Sequence, residues 1–333
     1  MTSAGNGCVA ELRRWGWENW RAWSVCVALG ALLGVAAMAP ARAEDVLVRA
    51  RPDVGVAQRL EFSDLVLEAA LRRTVKKYGA YRIESVTANL ARERMLRELV
   101  SGELYNTSVM ASQPVWEQQL LPIWIPVDMG LSNFRIALIH RDAQEKLAAV
   151  RSLDELKALR VGAGVGWSSR QVLDYNQFNV ALGENFEPLL KMLMAGRIDY
   201  FPRGVNEVFV EFDDRSRSNP ALAIEDSIVI EFPLPTYIFV SPQAPRLHQR
   251  LTDGMEAMVR DGTLRRMVAE YHADMIQRAG FCGRRVFHIG KPLLSDKTPL
   301  RRREVWFDPY DPKTGICADK HRTPVRRHGR KVH

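Results

Sequence analysis

A glycine-rich stretch followed by two serines and an arginine is the first feature of this sequence that could do chemistry. Gly162-Ala-Gly-Val-Gly166 follows a short apolar run, and Ser168, Ser169 and Arg170 come soon after it. Serine is favoured at helix N-termini, where backbone N–H groups attract anions and carboxylates. We therefore predict a helix starting near Ser168, with Gly166, Ser168, Ser169 and Arg170 as ligand-binding candidates. A capped helix start with a solvated arginine is the structural alternative.

These glycines do not form a nucleotide-binding motif. The third glycine is one position too early for the dinucleotide fingerprint, and no Gly-Lys-Ser/Thr phosphate loop occurs. The sequence also lacks a Gly-x-Ser-x-Gly nucleophile elbow. Its histidines are widely separated and lack the spacing of zinc ligands. We predict no cofactor, no metal site and no catalytic residue.

Arg203, Asn206 and Glu207 form a second group of candidate ligand-binding residues. They follow a predicted strand over Arg197–Phe201, and Pro202-Arg203-Gly204 is predicted as a turn. Ligands of open α/β sheets bind at strand ends, and a guanidinium there can hold a carboxylate through two hydrogen bonds. The alternative is a surface ion pair of Arg203 with Asp199 or Glu207.

The basic residues are concentrated at the end of the chain. The 333 residues have a formal net charge of +8, of which residues 297–333 carry +7 and residues 1–43 carry +2, leaving −1 for residues 44–296. A nearly neutral body argues against nucleic-acid binding. Proline, arginine, lysine and glycine accumulate over 296–333, which predicts a disordered basic tail. Trp306, Phe307 and Tyr310 could dock on the body.

Residues 1–43 have the pattern of a cleavable signal peptide. Three arginines precede an apolar run over about 25–38, and Ala41-Arg42-Ala43 is typical of a cleavage site. We expect cleavage after Ala43 and a periplasmic or secreted protein; an uncleaved membrane anchor is the alternative. In an oxidising compartment Cys282 and Cys317 are predicted to form a disulfide, although two unpaired thiols remain possible from sequence.

Strand and helix patterns alternate over most of the chain. Predicted strands at Val46–Arg49, Tyr81–Val86, Leu104–Met110 and Phe134–His140 are separated by helical patterns such as Leu60–Lys77. This alternation is typical of α/β proteins with parallel strands. With 47% hydrophobic residues, the chain can form one large or two medium domains.

Two motifs resemble those of periplasmic solute-binding proteins of the type II class. One is the helix followed by Gly196-Arg-Ile-Asp-Tyr-Phe201. The other, a helix, Asp261-Gly-Thr-Leu264 and a helix ending near Tyr271, is similar to the closing hairpin of the polar amino-acid-binding branch, family 3 of the ABC transporter substrate-binding proteins. The resemblance implies a two-lobed α/β fold with two crossover strands at the hinge. Lobe 1 would contain residues 44–130 and 232–295, and lobe 2 residues 131–231.

The resemblance also implies where a ligand would bind. Amino-acid binders of this branch carry Thr-x-x-Arg after the third strand, whereas the loop here, Ser112-Gln-Pro-Val-Trp-Glu117, has no arginine. Arg135 is the candidate to take the place of this missing arginine. Ser108, Ser112 and Trp116 are further candidates for residues that line the cleft, although Trp116 could equally lie in the core. The class places the turn that carries Arg203 at the same cleft.

The function implied by the resemblance is capture of a small polar solute, anionic or amino-acid-like, and its presentation to a membrane transporter. The expected partners are that solute and an inner-membrane permease or sensor, the protein itself being a monomer without enzymatic activity. A non-transport sensor or scaffold with a degenerate binding fold is one alternative, because the lobe 1 arginine is missing. A cyclohexadienyl dehydratase-like enzyme is another, with Glu207 or Glu117 as its acidic residue.

Overall fold

The computed structural model describes residues 44–51, 57–88, 90–290, 294–313 and 315–318. The predicted signal peptide and the last part of the basic tail, from residue 319, lie outside the described residues. Within the described part of the chain, no helix has the length and apolarity needed to cross a membrane.

Lobe 1 is built around a five-stranded sheet with the order β2-β1-β3-β11-β4. The strands β2, β1 and β3 are parallel to one another, and β11 runs antiparallel to β3 and β4. The strands are β1 (Asp45–Arg51), β2 (Tyr81–Thr87), β3 (Thr107–Ala111), β4 (Leu121–Ile123) and β11 (Thr236–Val240). The helices of this lobe are α1 (Ala57–Arg73), α2 (Val75–Tyr78), α3 (Arg92–Ser101), α4 (Pro114–Gln119), α10 (Pro245–Arg260) and α11 (Thr263–Tyr271).

Lobe 2 contains a sheet with the order β12-β10-β5-β8, to which β9 adds by pairing with β5, and a two-stranded sheet of β6 and β7. The strands are β5 (Phe134–His140), β6 (Arg160–Gly164), β7 (Asn179–Gly183), β8 (Phe201–Gly204), β9 (Leu222–Ile224), β10 (Ile228–Glu231) and β12 (Arg285–His288). The helices are α5 (Gln144–Ala149), α6 (Leu153–Ala158), α7 (Ser168–Tyr175), α8 (Phe186–Met194), α9 (Val205–Arg215) and α12 (Ala273–Ala279). The predicted α/β class with two lobes is confirmed by this topology.

Over the described residues from β1 to β12, the chain passes between the sheets of the two lobes three times rather than twice. It leaves lobe 1 through residues 124–133 and returns through residues 232–235, as the resemblance implied, but then enters lobe 2 again because β12 pairs in parallel with β10. The assignment of residues 232–295 to lobe 1 is therefore corrected for β12, which belongs to the sheet of lobe 2, whereas β11, α10 and α11 lie in lobe 1. Arg284 holds this last crossing in place: its buried guanidinium contacts the carboxylate of Glu225 and donates to the Ile228 carbonyl at 3.0 Å.

The prediction of a disordered tail is wrong for its described part. Residues 294–313 and 315–318, here called the C-terminal strap, pack on the body. Arg302 donates two hydrogen bonds of 2.7 and 3.0 Å to Glu256 of α10, and the Phe307 N–H donates to the Met129 carbonyl at 2.6 Å. The predicted disulfide between Cys282 and Cys317 is confirmed. The strap thus joins lobe 1, the first crossover and the segment that leads to β12.

The predicted turn at Pro202-Arg203-Gly204 is part of a strand. Residues of β8 pair antiparallel with β5, Arg203 opposite Ile136 and Gly204 opposite Arg135. This register brings the start of α9 beside the start of β5. The same two elements supply most of the charged groups of the candidate site.

One apolar core runs through both lobes. It includes Leu47 of β1, Val127 of the first crossover, Ile136 of β5 and Leu189 of α8, each of which is at most 1% exposed. The described residues from Asp45 onward accordingly form one compact unit. The two lobes have separate sheets, but the apolar core is continuous across part of the contact between them.

Candidate functional site

A cavity of about 380 Å³ lies between the lobes beside the crossovers. Lobe 1 contributes α1, the start of α3, the end of β3 and the α11–α12 junction, and lobe 2 contributes the starts of β5 and α9. The polar and charged lining residues are Ser63, Arg92, Asp128, Ser132, Arg135, Asn206, Glu207, Glu211, Thr236, Tyr271 and His272. Its volume falls within the range of about 300–1,000 Å³ typical of small-molecule sites.

Unpartnered polar atoms are concentrated on this cavity. Seven buried side-chain nitrogen or oxygen atoms lack a hydrogen-bond partner within the described residues, and five of them belong to its lining. They are Ser132 Oγ, Arg135 Nε, Asn206 Oδ1 and both ring nitrogens of His272. A buried polar atom without a partner costs about 1–3 kcal/mol, so this concentration points to a polar ligand.

Arg135 is a buried cation with little compensation from the protein. Arg135 is the second residue of strand β5 and is 7% exposed, and its nearest carboxylate is that of Glu207 at 3.9 Å. Its guanidinium also lies 5.1 Å from the centroid of the Phe232 ring. Burial lowers the pKa of Arg135 below its ordinary value, and Glu207 offsets this only in part. Arginine nevertheless stays protonated in proteins, so this charge would be stabilised by an anionic group in the cavity.

Arg203 differs from Arg135 because it is fully paired. It donates two hydrogen bonds of 2.6 and 2.7 Å to Glu211 and lies 3.2 Å from Glu207. Burial works against its charge, but Glu207 and Glu211 outweigh burial and raise its pKa above the ordinary value. Its guanidinium lies 4.6 Å from the ring centroid of Trp167. Arg203 is not among the residues that line the cavity, and its two hydrogen bonds to Glu211 indicate a structural role in place of the expected ligand-binding one.

Asn206 and Glu207 lie in the first turn of α9. Both residues line the cavity together with Arg135 of β5. Glu207 accepts a hydrogen bond of 3.1 Å from the Gly204 N–H, which caps the helix. Asn206 Oδ1 is an unpartnered acceptor. A negative group and a free acceptor therefore lie next to the under-compensated Arg135.

The fixed charges around the cavity nearly cancel. Arg92 and Arg135 are positive, and Asp128, Glu207 and Glu211 are negative; Arg203 balances Glu211. Asp128 is held in place because its two oxygens accept from the N–H groups of Gly130 and Ser132, at 2.9 and 3.0 Å. A neutral site that contains separate positive and negative groups suits a zwitterion better than a multiply charged anion.

The residues of the glycine-rich stretch do not line the cavity. Trp167, not a serine, is the N-cap residue of α7. Ser168 Oγ accepts hydrogen bonds from Arg92 at 3.0 Å and from Gln113 at 2.9 Å, which joins lobe 2 to lobe 1. Ser169 is buried, and Gly166 is exposed. Arg170 pairs with Asp174 one helical turn away at 3.1 Å, which matches the solvated alternative.

The lobe 1 candidates also lie outside the lining. Ser108 lies within β3 opposite Phe239, whereas the lining begins at the next residue. Ser112 donates to the carboxylate of Glu117. Trp116 is 2% exposed and packs edge-on against the ring of Phe239 in the core of lobe 1. The cavity wall includes none of Ser112, Trp116 and Glu117.

Sequence reasoning missed Arg92, Asp128, Ser132 and His272. The histidines, His272 among them, are considered from the sequence only as zinc ligands and are rejected for lack of ligand spacing, and Arg92 belongs only to a helical pattern. Asp128 and Ser132 come from the irregular first crossover, where no periodic pattern indicates the direction of a side chain. These four residues come from three separate parts of the chain, and only the packing of the two lobes brings them together.

Comparisons with known proteins give similarity to solved structures only. No protein-family model matches the chain, and no curated protein sequence matches it. An ancestral arginine-binding protein bound to arginine is 18% identical, with a TM-score of 0.47, over 68% of this chain and 98% of that one. A histidine kinase sensor domain with similarity to periplasmic binding proteins is 14% identical, with a TM-score of 0.47, over 69% and 96%. An amino acid ABC transporter substrate-binding protein from Streptococcus pneumoniae, bound to L-arginine, is 13% identical, with a TM-score of 0.46, over 73% and 96%. Since these TM-scores are below 0.5, the function is inferred from the geometry of this chain.

Proposed function

We propose that this protein binds a small zwitterionic, amino-acid-like solute in the cavity between its lobes. The solute's carboxylate contacts Arg135, and its ammonium group contacts Asn206 and Glu207. Both ends of the ligand are then held by lobe 2, near the first crossover. Lobe 1 covers the remainder of the ligand.

The observation that carries this proposal is the incomplete pairing of Arg135. A buried charge is normally paired and hydrogen-bonded, because its desolvation is expensive. Arg203 meets this rule with two short hydrogen bonds, whereas Arg135 has a free Nε and a carboxylate no closer than 3.9 Å. A ligand carboxylate supplies the missing acceptor, and the planar guanidinium can bind it through two hydrogen bonds.

The proposed orientation depends on the neighbouring acceptors. Asn206 Oδ1 is an unpartnered acceptor, and Glu207 is negatively charged. An ammonium group donates up to three hydrogen bonds and accepts none, so it suits these two residues. A solute with both charges leaves the near-neutral cavity neutral.

Titration calorimetry of the wild-type protein tests the proposal. A panel of free amino acids, simple monocarboxylates and simple amines is titrated at pH 7.5, after denaturation and refolding to remove any bound solute. We expect at least one free amino acid to bind, and monocarboxylates and amines that carry one charge to bind more weakly. Absence of heat for every amino acid, from protein with a cooperative melting transition, would contradict the proposal.

The strap favours a second candidate function, which differs in the step after ligand binding. The resemblance suggests that a periplasmic protein of this kind delivers its solute to a membrane permease, which requires the lobes to separate. The strap ties α10 of lobe 1 to the first crossover, and the Cys282–Cys317 disulfide fixes its end beside lobe 2. This observation favours a sensor or scaffold whose lobes stay together.

Small-angle scattering distinguishes delivery from sensing. A sensor of this kind is expected to keep one radius of gyration with and without bound amino acid. The Cys282→Ser/Cys317→Ser double variant, which frees the strap, is the comparison that reveals any lobe opening the disulfide prevents. A wild-type protein that expands when its ligand is removed would favour delivery instead.

A further inference from the structure

His272 is the cavity residue whose ring has no hydrogen-bond partner among the described residues. It lies at the junction of α11 and α12, is 4% exposed, and neither ring nitrogen has a hydrogen-bond partner there. Its ring packs edge-on against Phe62 with centroids 4.7 Å apart. Phe62 and Met275 line the cavity beside it. This part of the wall therefore combines apolar contacts with one unsatisfied polar ring.

The imidazole is neutral at physiological pH. Burial lowers the pKa of His272 below 6.5, and Asp128 opposes this shift in part. The charged and titratable groups that share the cavity with it are Arg92 of α3, Asp128 of the crossover, Arg135 of β5, Glu207 and Glu211 of α9, and its neighbour Tyr271. A neutral imidazole offers one donor nitrogen and one acceptor nitrogen.

We propose that His272 recognises the side chain of the solute and selects one that ends in an uncharged hydrogen-bonding group, an amide or a hydroxyl. This inference rests on the proposed function, because it assumes that Arg135 and Asn206 hold the zwitterionic end. An apolar side chain leaves both ring nitrogens unsatisfied. A carboxylate can accept from the donor nitrogen only, and it adds a net charge to a neutral cavity. An amide or hydroxyl both donates and accepts, and the methylene groups before it contact Phe62 and Met275.

Three amino acids of similar length test this selection. Glutamine, glutamate and methionine are titrated into the refolded wild-type protein at pH 7.5. We expect glutamine to bind about tenfold more tightly than the other two, since an unsatisfied buried polar group costs about that factor or more. Equal affinities, or a preference for methionine, would overturn the role of His272 while leaving the zwitterion site intact. Absence of binding by any free amino acid would instead overturn the proposed function itself.

Two variants assign the selection to this residue. His272→Phe keeps a ring against Phe62 and is expected to bind glutamine and methionine equally, whereas His272→Gln retains a donor and an acceptor and is expected to keep part of the preference. Melting temperatures confirm that both variants fold. An unchanged preference for glutamine in His272→Phe would contradict the proposal.

The pH dependence provides a second readout. When pH falls through the lowered pKa of His272, the ring gains a proton and two donors, which favours a carboxylate. Glutamate should therefore gain affinity relative to glutamine at acidic pH in the wild-type protein, and this change should be absent in His272→Phe. A relative affinity that does not depend on pH in the wild-type protein would count against His272 as the recognition residue.

Discussion

Replacing Arg135 by methionine is expected to weaken amino-acid binding by about two orders of magnitude. The loss of one partner from a buried, hydrogen-bonded charge pair costs about 2–5 kcal/mol, and the proposed ligand carboxylate has its main partner in Arg135. The free protein should not lose stability, because the substitution removes a buried charge that Glu207 compensates only at 3.9 Å. Titration calorimetry and thermal unfolding of the same preparation measure the two effects.

Arg170→Met is the matched control for this experiment. It removes the same guanidinium from a residue that the sequence also marks as a ligand candidate, but which pairs with Asp174 on the exposed side of α7. We expect its affinity to equal that of the wild-type protein. If Arg170→Met weakens binding and Arg135→Met does not, the site lies at the glycine-rich stretch and the cavity assignment is wrong.

Elements with strong local patterns could be predicted from sequence. The run Phe134–His140 is predicted as a strand and is β5. The helix before Gly196 ends where expected, and Gly196 has a φ of +66°, a backbone conformation that glycine adopts without strain. Local propensity and periodicity agree in these segments, so contacts with neighbouring elements did not change the secondary structure that they form.

Elements that depend on distant partners were predicted poorly. Pro202-Arg203-Gly204 has the composition of a turn, but antiparallel pairing with β5 makes it a strand. The basic composition of residues 294–318 indicates disorder, but contacts with Glu256, Met129 and Cys282 order this segment. In both cases the contacting residues are distant in the sequence, so local sequence patterns do not reveal them.

Replacing Arg203 by methionine is expected to lower the free energy of unfolding by about 3–5 kcal/mol, the usual cost of removing one partner of a buried ion pair. Arg203 is 3% exposed, and its loss leaves Glu211 without the two hydrogen bonds that compensate its burial. The methionine keeps apolar contact with Trp167, so the effect is mainly electrostatic. Urea unfolding measured by circular dichroism gives the value.

The double variant Arg203→Met/Glu211→Met separates charge from packing. Replacing both members of a buried ion pair by apolar residues is often neutral or stabilising, so the double variant should recover a large part of the lost stability. A single variant as stable as the wild-type protein would show that Arg203 is not the buried partner of Glu211. It would also return Arg203 to the list of candidate ligand residues.

Arg203 and Arg135 show which part of the site could be predicted from the sequence. Glu207 and Glu211 are four residues apart in α9, a spacing that places both side chains on one helix face, and an Arg203–Glu207 ion pair is one of the alternatives that the sequence leaves open. The sequence does not show that this pair is buried, nor that Arg135 is the arginine left incompletely paired. That distinction depends on the register between β5 and β8.

The most direct test of the central claim compares one amino acid with its two blocked forms. The tightest-binding free amino acid, its N-acetyl derivative and its C-terminal carboxamide share one side chain but differ in which charge is missing. Titration calorimetry on the wild-type protein is expected to give clear binding for the zwitterion and a loss of about tenfold or more for each blocked form, since each leaves one buried charged group unpaired. Equal affinity for all three would contradict recognition of a zwitterion by Arg135, Asn206 and Glu207.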